Sequence, residues 1–322
     1  MWGFIREKIM KSKTIFVGNG INYLGGTPIS WSKLLKELMK YEQFDFDELP
    51  YAMAYEKIRF DWQAHYRDQD SSRLKQHIAE KLKDHPGNPT CQKILESGFT
   101  NYITTNYDYA IENSFKSLNN KNTFSNSEKN DQQGEKYYSI RRKTELKTGK
   151  DTVGIVWHIH GEIDPCNSIM LGFNHYVGSV AKVDSYMKGK YRSDSNPNIP
   201  KIKKIEKKIA TNSYDSLSWV ELFFNSDVHI AGFSFDFYEI DLWNILTKRA
   251  RLKSQINNRI YYYTKPLSQI VNDAIKKVEI RKRQMLEILS VEIREVELHK
   301  NDLDEYDYIR QWDEFIELMR TE

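Results

Sequence analysis

Short apolar runs, each ending in small or polar residues, constrain the fold of this chain more than any other feature. Patterns typical of amphipathic helices separate these runs. Strands that alternate with helices favour a parallel sheet covered on both faces. We therefore predict an α/β fold with a Rossmann-like, doubly wound and mainly parallel sheet. The predicted strands lie at 14–17, 102–105, 153–159, 228–231, 259–263 and 291–298.

The chain has 322 residues, and we interpret 1–322 as a single domain. Residues 44–100 carry amphipathic patterns and few strand signals, which predicts a helical insertion. The Asn-, Lys-, Gln- and Ser-rich stretch 117–150 predicts a mobile surface loop or an irregular hairpin. We expect 266–322 to complete the sheet with a helix, a strand and a second helix.

Composition argues against several classes of protein. Cys91 and Cys166 lie far apart, so we expect neither a disulfide framework nor a zinc module. The formal net charge of +3 gives no general case for nucleic acid, and solvated helix faces explain the basic runs 201–208 and 281–283 more simply. Nucleic-acid contact is therefore unsupported. No run approaches the roughly 18 apolar residues of a membrane span, and we expect a cytoplasmic protein without a signal peptide.

Two polar clusters follow the first two predicted strands. In the first, glycines let backbone N–H groups approach a phosphate, although a plain tight turn explains them equally well. In the second, amide, carboxylate and hydroxyl groups can bind a carboxamide, a ribose or a water, although helix capping is the commoner explanation. The first cluster is Gly18, Asn19, Gly20, Ile21 and Asn22, and the second includes Thr105, Asn106 and Asp108.

Two further clusters follow the third and fourth strands. His160 stands beside a glycine, where a general base or a ribose partner would lie, although a histidine at a strand end is more often structural. His158 lies two residues earlier, and no further ligand nearby completes a metal site, so we expect no metal. In the last cluster, Gly232 leaves room for a flat group and Ser234 can donate to a phosphate or ribose, while Asp236 also fits a helix cap.

The order of these clusters resembles the NAD-binding domain of the sirtuins. The resemblance covers scattered blocks between residues 14 and 263. The matching residues are Gly18-x-Gly20-Ile21 followed by Gly26-x-Pro28, then Thr104-x-Asn106-x-Asp108, then His160-Gly161, then Gly232-x-Ser234.

Two differences separate this sequence from the sirtuin deacylases. Sirtuin deacylases carry an acidic residue where this chain has Ile29, and they carry four zinc cysteines after the His-Gly pair, where only Cys166 occurs. The sequence looks more like the zinc-free sirtuin-like domains of bacterial antiphage defence, which hydrolyse NAD. Thr-Thr-Asn-Tyr-Asp and His-x-His-Gly are typical of those domains. Residues 17–22 and 223–241 are also similar to the AbiH abortive-infection family.

The resemblance implies an NAD+ glycohydrolase that cleaves NAD+ into nicotinamide and ADP-ribose, with NAD as substrate and without a metal. It implies that Asn106 orients the nicotinamide end or the attacking water, and that His160 acts as general base or holds the ribose hydroxyls. Asp108 is the candidate for the carboxamide contact. The turn 18–21 would cradle the pyrophosphate and Ser234 would serve the adenosine half. The other expected cofactor contacts are Asn22, Thr105, Gly232 and Asp236.

Other functions fit the same motifs. A deacylase or an ADP-ribosyltransferase would use the same cofactor, and a non-catalytic NAD- or nucleotide-binding module would assemble a defence complex without turnover. An ungated NADase would kill its host, so we expect a homo-oligomer, a separate sensor or regulatory subunit, or both. The stretches 117–150 and 187–208 are the candidate contact surfaces.

Overall fold

The computed structural model describes residues 12–24, 30–39, 44–45, 49–66, 71–126, 140–191 and 202–322. Within these residues eight strands form one sheet. The strands are β1 (Lys13–Val17), β2 (Asn101–Thr104), β3 (Asn122–Asn126), β4 (Thr144–Thr148), β5 (Asp151–His158), β6 (Asp227–Ala231), β7 (Ile260–Thr264) and β8 (Glu292–Glu295).

Helices occupy most of the remaining described chain. They are α1 (Trp31–Leu38), α2 (Tyr51–Tyr66), α3 (Ser72–Leu82), α4 (Pro89–Leu95), α5 (Ala110–Leu118), α6 (Phe173–Met187), α7 (Ile205–Thr211), α8 (Leu222–Asn225), α9 (Ile240–Arg251), α10 (Asp273–Ile288) and α11 (Tyr308–Thr321). None of them combines the length and apolar composition that crossing a bilayer requires, within the segments described.

The strand order is β3-β4-β5-β2-β1-β6-β7-β8. The six strands from β5 to β8 in this order pair in parallel, and β3 and β4 add an antiparallel edge beside β5. Within the parallel part the chain leaves β1 toward β2 and β5, and then returns to the other side through β6, β7 and β8. This is the strand order of Rossmann folds, and it confirms the predicted mainly parallel α/β class.

The sheet is apolar on both faces because alternate side chains of its central strands point in opposite directions. Phe16 packs into one core with residues of helices α6 to α10. Its neighbours Ile15 and Val17 pack into a second core with residues of α4, α5 and α11. Burial on both faces explains why the sequence of β1 is a continuous apolar run rather than an alternating one.

Helices α1 to α4 lie between β1 and β2 in the chain, and we refer to this helical stretch as the insertion. Leu34, Tyr55 and Ile78 belong to a third core, formed by α1, α2 and α3. Tyr107 and Leu171, from the loops that follow β2 and β5, complete that core. The insertion thus packs against the edge of the sheet at which the parallel strands end.

Two other stretches with predicted structure include residues outside the described part of the chain. Within 117–150, β3 and β4 pair in an antiparallel register, and residues 127–139 are outside the described part. Within 187–208, the end of α6 and the start of α7 are described, and residues 192–201 are not.

At the C-terminal end α10 precedes β8, which pairs with β7, and α11 follows.

We expect the central strand β6 to carry much of the stability. Replacing fully buried Ile230 with Ala should lower the free energy of unfolding by about 2–5 kcal/mol, because the lost methyl groups leave a cavity. Ile288, whose side chain is 69% exposed on α10, provides the matched control, and its change to Ala should alter stability by less than about 0.5 kcal/mol. Denaturant titration of both variants measures the difference, and equal losses would contradict the assignment of the core.

Candidate functional site

A cavity of about 370 Å³ lies where β1 and β6 end, at the point where the strand order reverses. Open α/β sheets bind ligands at this position. The polar part of its wall comes from the turns after β1, β2, β5 and β6, and α1 and α2 of the insertion add apolar residues. The wall includes Asn19, Gly20, Trp31, Tyr51, Thr105, Tyr107, His160, Tyr176, Gly232, Phe233, Ser234, Asp236 and Glu239.

A second cavity, of about 380 Å³, adjoins the first. The two share Gly20, Tyr23, Gly232 and Phe233 as lining residues. Aromatic side chains of β7 and α11 form much of the second wall, among them Tyr262, Tyr308 and Trp312. No local pattern in the sequence indicated this cavity, because its lining residues come from elements far apart in the chain.

The turns after β1 and β6 meet backbone to backbone between the two cavities. The Gly20 N–H donates to the Gly232 carbonyl over 2.8 Å. A Cβ on Gly18 would lie 2.7 Å from that same oxygen, and a Cβ on Gly20 would lie 2.7 Å from the Gly232 Cα. Gly232 itself has φ +61°, a conformation that other residues rarely adopt. Packing therefore requires these glycines whether or not a phosphate binds.

Three N–H groups of the first turn already have partners within the protein. Gly18 N–H donates to Ala231 O over 3.3 Å and Ile21 N–H to Gly18 O over 3.4 Å, in addition to the Gly20 bond. The predicted pyrophosphate contact would have to compete with these hydrogen bonds. The role of this turn in holding phosphate therefore stays a prediction. Residues 25–29, with Gly26, Pro28 and Ile29, lie outside the described residues.

The residues singled out from the sequence divide into two groups. Seven of them line the first cavity, and they come from all four turns. Five others are not part of its wall. The lining residues are Asn19, Gly20, Thr105, His160, Gly232, Ser234 and Asp236, and the others are Gly18, Ile21, Asn22, Asn106 and Asp108.

Asn106 and Asp108 connect the turn after β2 to the turn after β1. Asn106 is buried, and its Nδ2 donates to Gly18 O over 3.3 Å. Asp108 Oδ2 accepts from Asn22 Nδ2 over 2.8 Å, and its Oδ1 accepts from the N–H of Ala110, the first residue of α5. The carboxamide contact that the resemblance implies for Asp108 stays a prediction.

A buried ionic network lies beneath Asn106. His158 Nδ1 donates to the Asn106 carbonyl over 2.8 Å, and Nε2 lies 2.8 Å from Glu112 Oε1. Burial alone would lower the pKa of His158, but the charge of Glu112 and its hydrogen bond outweigh that effect and raise the pKa to about 9. The ring is therefore an imidazolium that donates from both nitrogens. Neighbouring Glu162 accepts from the Tyr109 hydroxyl over 2.8 Å.

His160 belongs to a different cluster, formed with two carboxylates near the N-terminus of α9. Its Nε2 lies 3.2 Å from Asp241 Oδ2 and 3.6 Å from Glu239 Oε2. Burial opposes the charged ring, but the negative charges of Asp241 and Glu239 raise the pKa of His160 above its ordinary value. The Tyr176 ring packs against the His160 imidazole in a T-shaped arrangement, with 5.5 Å between the ring centroids.

The two carboxylates of this cluster differ in pKa. Burial and the charge of Asp241 raise the pKa of Glu239 to about 7, although His160 opposes the shift. Burial also disfavours charge on Asp241, but His160 and the Ser179 hydroxyl at 2.7 Å hold the pKa of Asp241 below its usual value. Sequence reasoning missed Glu239, Asp241, Tyr176 and Ser179. Glu239 and Asp241 lie at the end of the segment 223–241, which the sequence analysis singled out for its similarity to AbiH. No sequence pattern, however, connected the two acids with His160.

The same three side chains are close enough to hold a metal ion, with candidate ligand atoms within 4.8 Å of one another. A hydrogen bond already joins His160 Nε2 and Asp241 Oδ2. A nitrogen that donates a proton cannot also ligate a metal, so we interpret the group as a hydrogen-bonded cluster. Loss of activity on chelation, with recovery on adding a divalent cation, would instead indicate a metal site.

Comparison with known proteins agrees with this geometry. Residues 100–243 match the family model of the SIR2-like domain. This match supports a sirtuin-like domain. The matched segment runs from the start of β2 into α9, so it contains Asn106, His160, Ser234 and Asp241, whereas β1 and its glycine turn precede it. No curated protein matches the chain.

The raised pKa of His158 predicts a specific pH dependence of stability. Folding binds a proton between the ordinary value of 6.5 and the folded value of about 9, so the free energy of unfolding falls as the pH rises through that range. His158→Gln should therefore show a shallower decline over this range than the unchanged protein. Denaturant unfolding at a series of pH values measures both slopes.

His229 on β6 is the matched control. It is a buried strand histidine whose pKa burial lowers to about 3, so it is neutral throughout this range. His229→Gln should keep the slope of the unchanged protein. Identical slopes for all three proteins would show that His158 is not charged in the native state.

Proposed function

We propose that this chain is an NAD+ hydrolase that acts as a gated effector in antiphage defence. The observation that carries the proposal is the cavity at the reversal point of the sheet, lined by His160 and Thr105 within a sirtuin-like domain. Sirtuin-like domains use NAD as a substrate. The two adjoining cavities suit the two halves of a dinucleotide, with nicotinamide ribose in the first and adenosine against the aromatic wall of the second.

The proposed reaction breaks the bond between nicotinamide and C1′ of its ribose. The bonding electron pair passes to the pyridinium nitrogen, which becomes neutral, and positive charge develops on the ribose. Water then adds to C1′ and releases one proton, giving nicotinamide and ADP-ribose. The site accelerates this reaction by holding the ribose and the water in position and by stabilising the developing charge.

Two residues have central roles in this proposal. His160 lies in the wall with its Nε2 directed at Asp241, which leaves its other edge to hold the ribose hydroxyls. Asn106 lies behind the wall, and its amide now donates to Gly18 O. For Asn106 to orient nicotinamide or water, its amide must turn from Gly18 toward the cavity when NAD binds.

The hydrolase activity has to be regulated because its substrate is essential to the host cell. NAD is required by every cell, so unregulated hydrolysis would be lethal to the host. We propose control by self-association, by a separate sensor or regulatory subunit, or by both. The stretches 117–150 and 187–208 are the proposed contact surfaces. The support for a defence role is the resemblance to zinc-free sirtuin-like defence domains in the residues around Asn106 and His160.

Product analysis tests the reaction directly. Incubation of the purified protein with NAD should yield equal amounts of nicotinamide and ADP-ribose, measured by chromatography. Asn106→Ala should reduce turnover by at least about 100-fold, because the reacting groups lose their orientation. Asn257, an exposed asparagine just before the start of β7 and so at the edge of the sheet opposite the cavity, provides the control, and its change to Ala should leave turnover unchanged.

Other products would overturn the assignment. Calorimetry should detect tight NAD binding, and binding without turnover in any state of the protein would indicate a binding module. Transfer of ADP-ribose to a protein, or NAD-dependent removal of an acyl group from a peptide, would instead indicate a transferase or a deacylase.

The defence role predicts a change in infected cells. Bacteria that express the chain with its neighbouring genes should lose NAD after phage infection, whereas cells with Asn106→Ala should retain it. Mass spectrometry of nucleotide extracts, sampled through one infection cycle, measures the difference. Equal NAD levels in both strains during effective protection would contradict the proposal.

A further inference from the structure

Two carboxylates meet one imidazole in the wall of the first cavity, and only one of them has its hydrogen bonds satisfied. Asp241 Oδ2 accepts from Ser179 Oγ over 2.7 Å and lies 3.2 Å from His160 Nε2. Its Oδ1 accepts from the Leu242 N–H over 2.9 Å. Asp241 is fully buried, so it is committed to holding His160 and cannot contact a substrate.

Glu239 is in the opposite situation. Its side chain lines the cavity and keeps 15% of its surface exposed. Its Oε2 is buried, 3.6 Å from His160 Nε2, and has no hydrogen-bond donor among the described residues. A carboxylate with unused acceptor capacity beside a cavity can accept a hydrogen bond from a water held there.

Charge balance separates the two acids further. When His160 is protonated and Asp241 is ionised, the two charges balance, so ionising Glu239 adds a second negative charge in a buried place. The titratable groups that face Glu239 are His160 and Asp241, the more distant Asp236, and the hydroxyls of Tyr107 and Tyr176, whose pKa values burial raises well above the ordinary tyrosine value. The two tyrosines are neutral near pH 7, so they add no charge beside Glu239.

His160 is poorly placed to take up a further proton. Its Nε2 bonds to Asp241, and both neighbouring acids favour its protonated form. Because Asp241 already occupies this nitrogen, a carboxylate beside the cavity is the better placed group to accept the proton released by water. Glu239 lines the cavity, and its Oε2 has no hydrogen-bond donor among the described residues.

We infer that Glu239 is the general base of the site and that Asp241 is a positioning residue that holds the His160 ring in place. The inference rests on the proposed function. As the nicotinamide–ribose bond breaks, the water oxygen bonds to C1′ and one water proton passes to a Glu239 carboxylate oxygen. Glu239 returns that proton to solvent after the products leave, so the atoms and charges of the hydrolysis balance.

The pH dependence of turnover tests the inference. A base must be deprotonated to act, so kcat of the unchanged protein should rise as the pH increases through about 7, where Glu239 titrates. Glu239→Gln should lower kcat by at least about 100-fold and remove this rise, while KM for NAD changes little. Glu239→Asp should retain the rise at a reduced rate. Exposed Glu287 on α10 is the control, and Glu287→Gln should match the unchanged protein.

A second measurement does not depend on turnover. Glu239→Gln removes a negative charge beside His160, so the pKa of the His160 imidazole, followed by NMR, should fall. The signal is assigned by its loss in His160→Gln. Thermal unfolding of each variant shows that the substitutions leave the fold intact. An unchanged His160 titration would contradict the proximity of the two groups in solution.

The possible outcomes separate this inference from the proposed function. Turnover that depends on Asn106 but keeps its rate and pH rise in Glu239→Gln would overturn the inference alone. Loss of activity on chelation, with recovery on adding a divalent cation, would also overturn it, because the cluster would then be a metal site. Failure to hydrolyse NAD, both in the purified protein and in extracts of infected cells, would overturn the proposed function and the inference with it.

Discussion

The close approach of the turns after β1 and β6 is the constraint on which the site depends. Gly20 donates to the Gly232 carbonyl over 2.8 Å, and neither position leaves room for a side chain. This contact lies at the reversal point of the sheet and forms a wall common to both cavities. A larger residue would push the turns apart and change both cavities at once, so packing and binding depend on the same glycines.

Two histidines separated by one residue have different surroundings. His158 lies between the Asn106 carbonyl and Glu112, whereas His160 lies between Asp241 and Glu239. Burying an ionised group costs free energy that only a close opposite charge offsets. The first imidazolium fixes the backbone at Asn106. In the second cluster, Asp241 holds the His160 ring in the cavity wall, so each histidine is positioned by a different set of partners.

The cavity combines groups of opposite character. Its apolar wall comes from the insertion and from aromatic residues, and its ionisable groups come from the turn after β5 and the start of α9. Burial raises the pKa of Glu239, whereas for Asp241 the charge of His160 and several hydrogen bonds outweigh burial and lower the pKa. Environments that push the pKa values of neighbouring groups apart commonly mark sites of proton transfer. This contrast connects the architecture with the proposed hydrolysis.

The sequence alone determined the fold class, because apolar runs of strand length between turn residues and helical patterns specify a parallel α/β sheet locally. It also indicated the turns that lie around the cavity. The tertiary structure decided which side chains meet: His160 bonds to Asp241, 81 residues away, and Asn106 lies behind the wall rather than in it. Periodicity specifies the type of each element, whereas contacts between distant residues depend on strand order and helix packing, which no local pattern encodes.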